Sequence, residues 1–232
     1  MKYIVLLTML WLATMGEVCL GQTTFRKELT WEKGQLIDLN LKFGKNMQVT
    51  GWDQNEVAVI ARVTINEGHQ DSLFSLAASS GNAINILADI NRKDLSVHEW
   101  LDGCPKEQRM MTIDDHTSLC VDISYEVHIP KNASVNLSSI SANMTIHGLH
   151  GPVRAKSISG FIDFSMPENA KADLALKSIT GELYTNIGGI NWLNRKDHIP
   201  MVGYLLRGQI GGGGPELHLE SISNDIYLRA QK

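Results

Sequence analysis

One nine-residue phrase recurs four times in the C-terminal half of the chain: SSISANMTI from Ser138, KSISGFIDF from Lys156, KSITGELYT from Lys177 and ESISNDIYL from Glu220. Its serine column, Ser139, Ser157, Ser178 and Ser221, is spaced by 18, 21 and 43 residues. A period near twenty is that of a chain wound in coils, each too small to bury its own apolar side and so dependent on its neighbours. The last interval is close to two periods and predicts one expanded coil. Within it, Asn191 to Ile199 reads as a loop leaving the stack, and Met201 to Ile210 as the missing coil.

Stacked coils place like residues above one another at about 4.8 Å. On that basis Ile140, Ile158, Ile179 and Ile222 are expected to form the repeat core. Ala142, Gly160, Gly181 and Asn224 occupy the corner, where Gly and Asn tolerate positive φ. The serines can hydrogen-bond locally at the same bend.

Before the repeats, apolar and polar residues alternate in strand fashion, and helical periodicity is hard to find after residue 22. Ile37, Leu39, Leu41 and Phe43 make one buried face, and Val57, Val59, Ala61, Val63 and Ile65 another. Ala83 to Ile90 and Val121 to Ile129 continue the pattern up to Pro130, which cannot donate to a ladder. Asn91 to Leu119 is a polar excursion. The expected fold is all-β, a right-handed single-stranded β-solenoid whose N-terminal strand region caps the stack.

The first 21 residues, with Lys2 ahead of the apolar run Tyr3 to Met15, read as a signal peptide, leaving residues 22–232 as one domain. Lipidation of Cys19 is the alternative to its removal. Loss of Lys2 and Glu17 leaves the formal charge at −4, a mildly acidic balance that argues against nucleic acid or anionic membrane as partner. No second apolar run is long enough to span a bilayer. In an oxidising compartment, Cys104 and Cys120 suggest a disulfide worth roughly 3 kcal/mol on the chain-entropy account, the alternative being two buried thiols.

Three stretches carry a resemblance: MQVTGWDQNEVAV near the start, IPKNASVNLSSISANMTIHGLHGPVRAKSISGFIDF, and the closing GGGGPELHLESISNDIYL. Together they make the chain similar to the bacterial putative-adhesin family of β-strand repeats, an exported domain of unknown function. The likeness runs from Leu36 to Leu228 and implies a right-handed β-solenoid at the cell surface or in the periplasm, without catalytic residues. Family members carry Gly in the corner column, and this chain departs at Ala142 and Asn224.

Candidate chemistry is sparse. Gly211 to Gly214 lacks the Lys-Ser/Thr and helix of a phosphate loop and reads as an entry into the last coil. His147 and His150 have no evident third metal ligand. Asp114, Asp115, His116 and Ser118 are triad residue types crowded into one loop, whereas triads are assembled from separated segments. Glu182 and Asp225 share a repeat column with Asp163 nearby; a coil between them would put them about 10 Å apart, near the upper end for an inverting glycosidase. Trp52 and Trp192 can stack on sugars or pack in corners.

The expectation is therefore a non-catalytic exported envelope module, adhesin-like or structural, with no cofactor. Its partner would be a protein or glycan of the cell envelope. Asp225 to Leu228, followed only by Arg229 to Lys232, reads as an uncovered terminal coil through which copies could associate or a partner strand could add. The alternatives are a carbohydrate-active enzyme with a carboxylate site on the exposed face and a component of envelope-stress signalling.

Overall fold

A computed structural model describes residues 22–91, 103–105, 108–114, 117–195 and 203–231. The expected signal segment with Cys19, the loop residues Asp115 and His116, residues 196–202 and Lys232 lie outside them.

The alternating segments are strands, as their polarity dictates. The chain enters through β1 (Thr23–Thr30), β2 (Leu36–Leu41), β3 (Asn46–Trp52), β4 (Glu56–Ile65), β5 (Phe74–Ser80) and β6 (Ala83–Ile90). β7 (Arg109–Asp114) and the long β8 (Thr117–Pro130) follow. Short strands then come in succession: β9 (Ser134–Ser139), β10 (Asn143–His147), β11 (Val153–Ser157), β12 (Ile162–Pro167), β13 (Ala172–Ser178) and β14 (Leu183–Thr185). β15 (Asn191–Trp192), β16 (Leu206–Ile210), β17 (Glu216–Ser221) and β18 (Ile226–Gln231) complete it. Among the described residues there is no α-helix, and no helix long and apolar enough to cross a membrane.

These strands form two nine-stranded mixed sheets. The first runs β1-β4-β8-β3-β10-β12-β18-β14, with β7 also on β8; the second runs β15-β16-β13-β17-β11-β9-β2-β6-β5. Consecutive strands from β9 to β14 cross from one sheet to the other, and their like residues pair in parallel register. Met144 lies opposite Ile162, Ile162 opposite Ile226, and Ile226 opposite Leu183. In the other sheet Ser139, Ser157, Ser221 and Ser178 are successive partners. The repeat thus spells one strand, a bend and the next strand.

Two expectations about the repeats are corrected. The layers do not follow chain order: β17 sits between β11 and β13, and β18 between β12 and β14. The terminal segment Asp225 to Leu228 is therefore an interior strand rather than an uncovered coil, and Arg229 is paired with Asp163 of β12 at 2.9 Å. Nor do the described residues of the long serine interval form a full coil. Its β16 lies antiparallel on the outer side of β13, with the two-residue β15 beyond it.

The isoleucine column is also displaced. Ile158 is 39% exposed and Ile140, Ile179 and Ile222 are only partly buried, whereas Ser139, Ser157, Ser178 and Ser221 are at most 5% exposed. Alternation explains the swap: counting by two from Val135 and Leu137, or from Val153 and Ala155, brings the serine, not the isoleucine, inside. The isoleucines still form a column, since Ile158 N–H donates to Ser139 O and Ile222 N–H to Ser157 O, but it lies on the outer side of the bend. The interior stack is Met47, Met144, Ile162 and Ile226, each at most 1% exposed. Burying a side chain of that size stabilises by about 1.5–3 kcal/mol.

At the bend each serine oxygen accepts the N–H three residues on: Ala142 at 3.1 Å, Gly160 at 2.8 Å, Gly181 at 2.9 Å and Asn224 at 3.2 Å. Each hydroxyl then donates to a carbonyl of the adjoining layer, Ser178 to Asn224 O at 2.9 Å and Ser221 to Gly160 O at 3.2 Å. The corner glycines serve packing rather than dihedral freedom, because neither Gly160 nor Gly181 has positive φ. A Cβ on Gly160 would stand 1.9 Å from Ala142 O, and one on Gly181 would stand 2.2 Å from Asn224 backbone.

Antiparallel strands close the N-terminal end of the stack. β1 pairs with β4 at the edge of one sheet and β5 with β6 at the edge of the other. The two edges meet where the Phe25 and Phe74 rings lie 4.9 Å apart, and buried Asp71 accepts from Thr23 Oγ1 and Ile65 N–H at 2.6 Å each. Nearby, Cys104 and Cys120 are joined by a disulfide across 16 positions.

Candidate functional site

Opposite the serine bend, the chain turns from the first sheet into the second and, between β3 and β4, back within the first sheet. Three of these turns, Trp31–Gln35, Trp52–Asn55 and Pro130–Ser134, enclose a cleft of about 760 Å³. Two partly buried tryptophans stand in it, each locked by its own turn. Trp31 Nε1 donates to Gln35 O at 3.0 Å, and Trp52 Nε1 to Glu56 O at 2.7 Å. Both bonds span four residues, and both follow the same local pattern, Trp-acid-x-x-Glu/Gln.

Trp52 has a second support. Its ring stacks on His128 with centroids 4.9 Å apart and 23° between planes. His128 Nε2 is 3.0 Å from Glu126 Oε1, and Arg62 donates to the same carboxylate at 3.0 Å. These hydrogen bonds, His128 first and Arg62 second, hold the Glu126 carboxyl below its ordinary range. Around the rings lie Glu32, Gln54, Asn55 and Asn132, all exposed, and the Lys131–Asp53 ion pair at 2.8 Å. Pre-positioned indoles beside amides and carboxylates can stack on an apolar ring face while bonding to hydroxyls at its rim.

A second cleft, about 330 Å³, lies farther along the same side between Leu149, Phe164, Met166, Ala170, Pro215 and Leu217. Its floor is apolar, and His150, Asn169 and Lys171 also line it.

The sequence-flagged residues are dispersed. Glu182 and Asp225 immediately precede adjacent strands and are not two layers apart, because β14 pairs directly with β18. Asp225 Oδ1 accepts Glu182 N–H at 2.8 Å. Each carboxylate also takes a tyrosine hydroxyl: Tyr184 on Glu182 at 2.6 Å and Tyr227 on Asp225 at 3.0 Å. The Glu182 contact pushes the Tyr184 ionisation up to about 12. Asp163 is bound by Arg229. His147 bonds with Thr50 at 3.1 Å, while His150 lies in the following turn at the rim of the apolar cleft. Among the described residues no group of three or more His, Cys, Asp or Glu is placed to hold a metal. Ser118 is buried, and Asp115 and His116 lie outside the described residues.

Gly211, Gly212 and Gly213 adopt positive φ in the turn between β16 and β17. Trp192 packs over Gly208, where a Cβ would come within 2.8 Å of its ring, so it serves the core. Trp52 stands in the cleft, and Trp31 is the member that sequence reasoning missed. The signal was the shared pattern WEKGQ and WDQNE at two strand ends.

No protein-family profile matches the chain, and no curated protein matches it in sequence. In three-dimensional structure the chain is similar to solved proteins. A putative cell adhesion protein from Clostridium sporogenes is similar over 90% of this chain and 100% of its own, with TM-score 0.51 and 8% identity. A putative adhesin from Bacteroides fragilis covers 90% of this chain and 98% of its own at 10% identity, with TM-score 0.21. At such identity the first likeness is one of fold alone.

Proposed function

We propose that this chain is an exported, non-catalytic, adhesin-like module of the bacterial envelope, and that it holds a glycan in the Trp31–Trp52 cleft. The observation that carries the reading is the pair of indoles fixed by their own turns in a wide polar cleft. Sugar rings have apolar faces and hydroxyl rims, and this pairing of aromatic planes with amides and carboxylates meets both. The fold shared with a Clostridium sporogenes protein described as a putative cell adhesion protein supports it.

The scaffold in this reading is a flattened right-handed β-solenoid, in which one strand from each sheet makes up a coil. Parallel strands joined by a crossover are right-handed in nearly all cases. The Cys104–Cys120 disulfide supports export, since such bonds persist in oxidising compartments.

The carbohydrate-active alternative would use Glu182 and Asp225, which are instead tied to tyrosines and to each other's strand. Calorimetric titration of the purified protein with soluble peptidoglycan fragments and envelope polysaccharides, run beside a reducing-end assay, separates the two. The reading expects saturable binding with no new reducing ends, abolished by Trp52→Ala. Cleavage lost in Glu182→Ala, or retention of a glycan unaffected by Trp52→Ala, would overturn it.

A further inference from the structure

The first sheet ends at β14, which among the described residues hydrogen-bonds with β18 alone. Ile226 N–H donates to Glu182 O. In a parallel pair alternate residues face the neighbour, so the backbone groups of Leu183 and Thr185 point away from the sheet. An edge of this kind is a template for another strand.

The side chains on this edge repeat the same unfinished pattern. Tyr184 and Tyr227 stack with centroids 5.2 Å apart and 12° between planes, Phe161 meets Tyr227 edge-on, and the Arg229 guanidinium lies 4.9 Å from the Tyr227 centroid. The row ends with Tyr184, which is 46% exposed. The opposite edge of the same sheet, β1, displays Arg26, Lys27 and Glu28, whereas Leu183, Tyr184 and Thr185 carry no charge.

We infer that a second copy of this chain adds to β14 in antiparallel fashion about a two-fold axis at Tyr184. The register is self-consistent. Leu183 faces Thr185 of the second copy as a hydrogen-bonded pair, and the reciprocal pair forms on the other side of the axis. Tyr184 meets its own equivalent as the closer, non-hydrogen-bonded pair. Four tyrosines then stack in one row, two from each copy. Glu182 faces Asn186 of the second copy, so no like charges are opposed. An isologous contact of this type closes at two subunits. The site is separate from the tryptophan cleft and does not depend on its ligand.

Directly opposed residues of a non-hydrogen-bonded pair have Cβ atoms about 5 Å apart, within reach of a disulfide after small adjustment. In the purified protein, Tyr184→Cys should form a covalent dimer under mild oxidation about tenfold faster than Ser165→Cys, which lies on the same outer face of central strand β12. Sedimentation velocity of the unsubstituted protein at tens of micromolar, on the order expected for a small interface, should show a dimer. Thr185→Pro, which removes one outward N–H, should sediment as a monomer with its thermal unfolding little changed. A monomer in the unsubstituted protein together with equal, background-level cross-linking of both cysteine variants would overturn the inference. So would a dimer that Tyr184→Cys fails to trap. Should Thr185→Pro fail to fold, the cross-linking comparison alone decides.

Discussion

The two bends of each layer are built on opposite plans. At the serine bend four layers use the same few atoms, a buried hydroxyl bridging the amide three residues on and a carbonyl one layer away, over an alanine, a glycine or an asparagine. At the opposite bend no phrase is common to the layers, though the Trp31 and Trp52 turns share a pattern, and the polar and aromatic side chains of three turns converge on a cleft. The first satisfies the backbone internally and leaves little to offer a ligand. The second leaves side chains free to face outward. Repetition marks the structural side of this chain, and the proposed recognition site lies where the serine phrase is absent.

Substitutions should separate the sides most sharply at glycine. Gly160→Ala drives a Cβ into Ala142 O and should cost about 3 kcal/mol or more. Gly81→Ala, in a turn with nothing within 4 Å, should stay within about 0.5 kcal/mol. Denaturant unfolding of both checks it, and similar losses would mean that layers do not pack backbone against backbone. Replacing Cys104 and Cys120 by Ser together should lower stability by roughly 3 kcal/mol by the same measure. Ser157→Ala strands the Gly160 N–H and the Ala142 carbonyl, for about 1–3 kcal/mol, and should leave ligand binding intact.

The smallest effect belongs to the tryptophan side. Glu126 is depressed in the folded protein, so the stability its charge contributes is present at neutral pH and lost as pH falls through that lowered value. The melting-temperature gap between the native protein and Glu126→Gln should therefore narrow on acidification below the ordinary carboxylate range. A gap that widens would reverse the assigned role of the His128 and Arg62 contacts.

Much of the scaffold was legible beforehand, because alternation over Val57 to Ile65 or Ala83 to Ile90 has a single one-sided reading. The repeats gave the register between layers. They could not give the order of the layers, since ESISNDIYL matches KSISGFIDF and KSITGELYT alike and nothing local says that it slots between them. The adjacency of Glu182 and Asp225 was hidden for the same reason. The Ile and Ser columns exchange places relative to their hydrophobicity because strand parity decides which side chain points inward at the bend. Trp31 went unnoticed because the partners that give it meaning, the turns after β3 and β8, lie far along the chain.

The central claim is that the aperiodic bend recognises and the serine bend only builds. It is tested most directly by titrating one envelope glycan into Trp31→Ala/Trp52→Ala and into Ser157→Ala, each first shown to be folded by circular dichroism. The predicted result is binding lost in the tryptophan variant and preserved in the serine variant. Binding preserved in the first, or lost in the second, would contradict it.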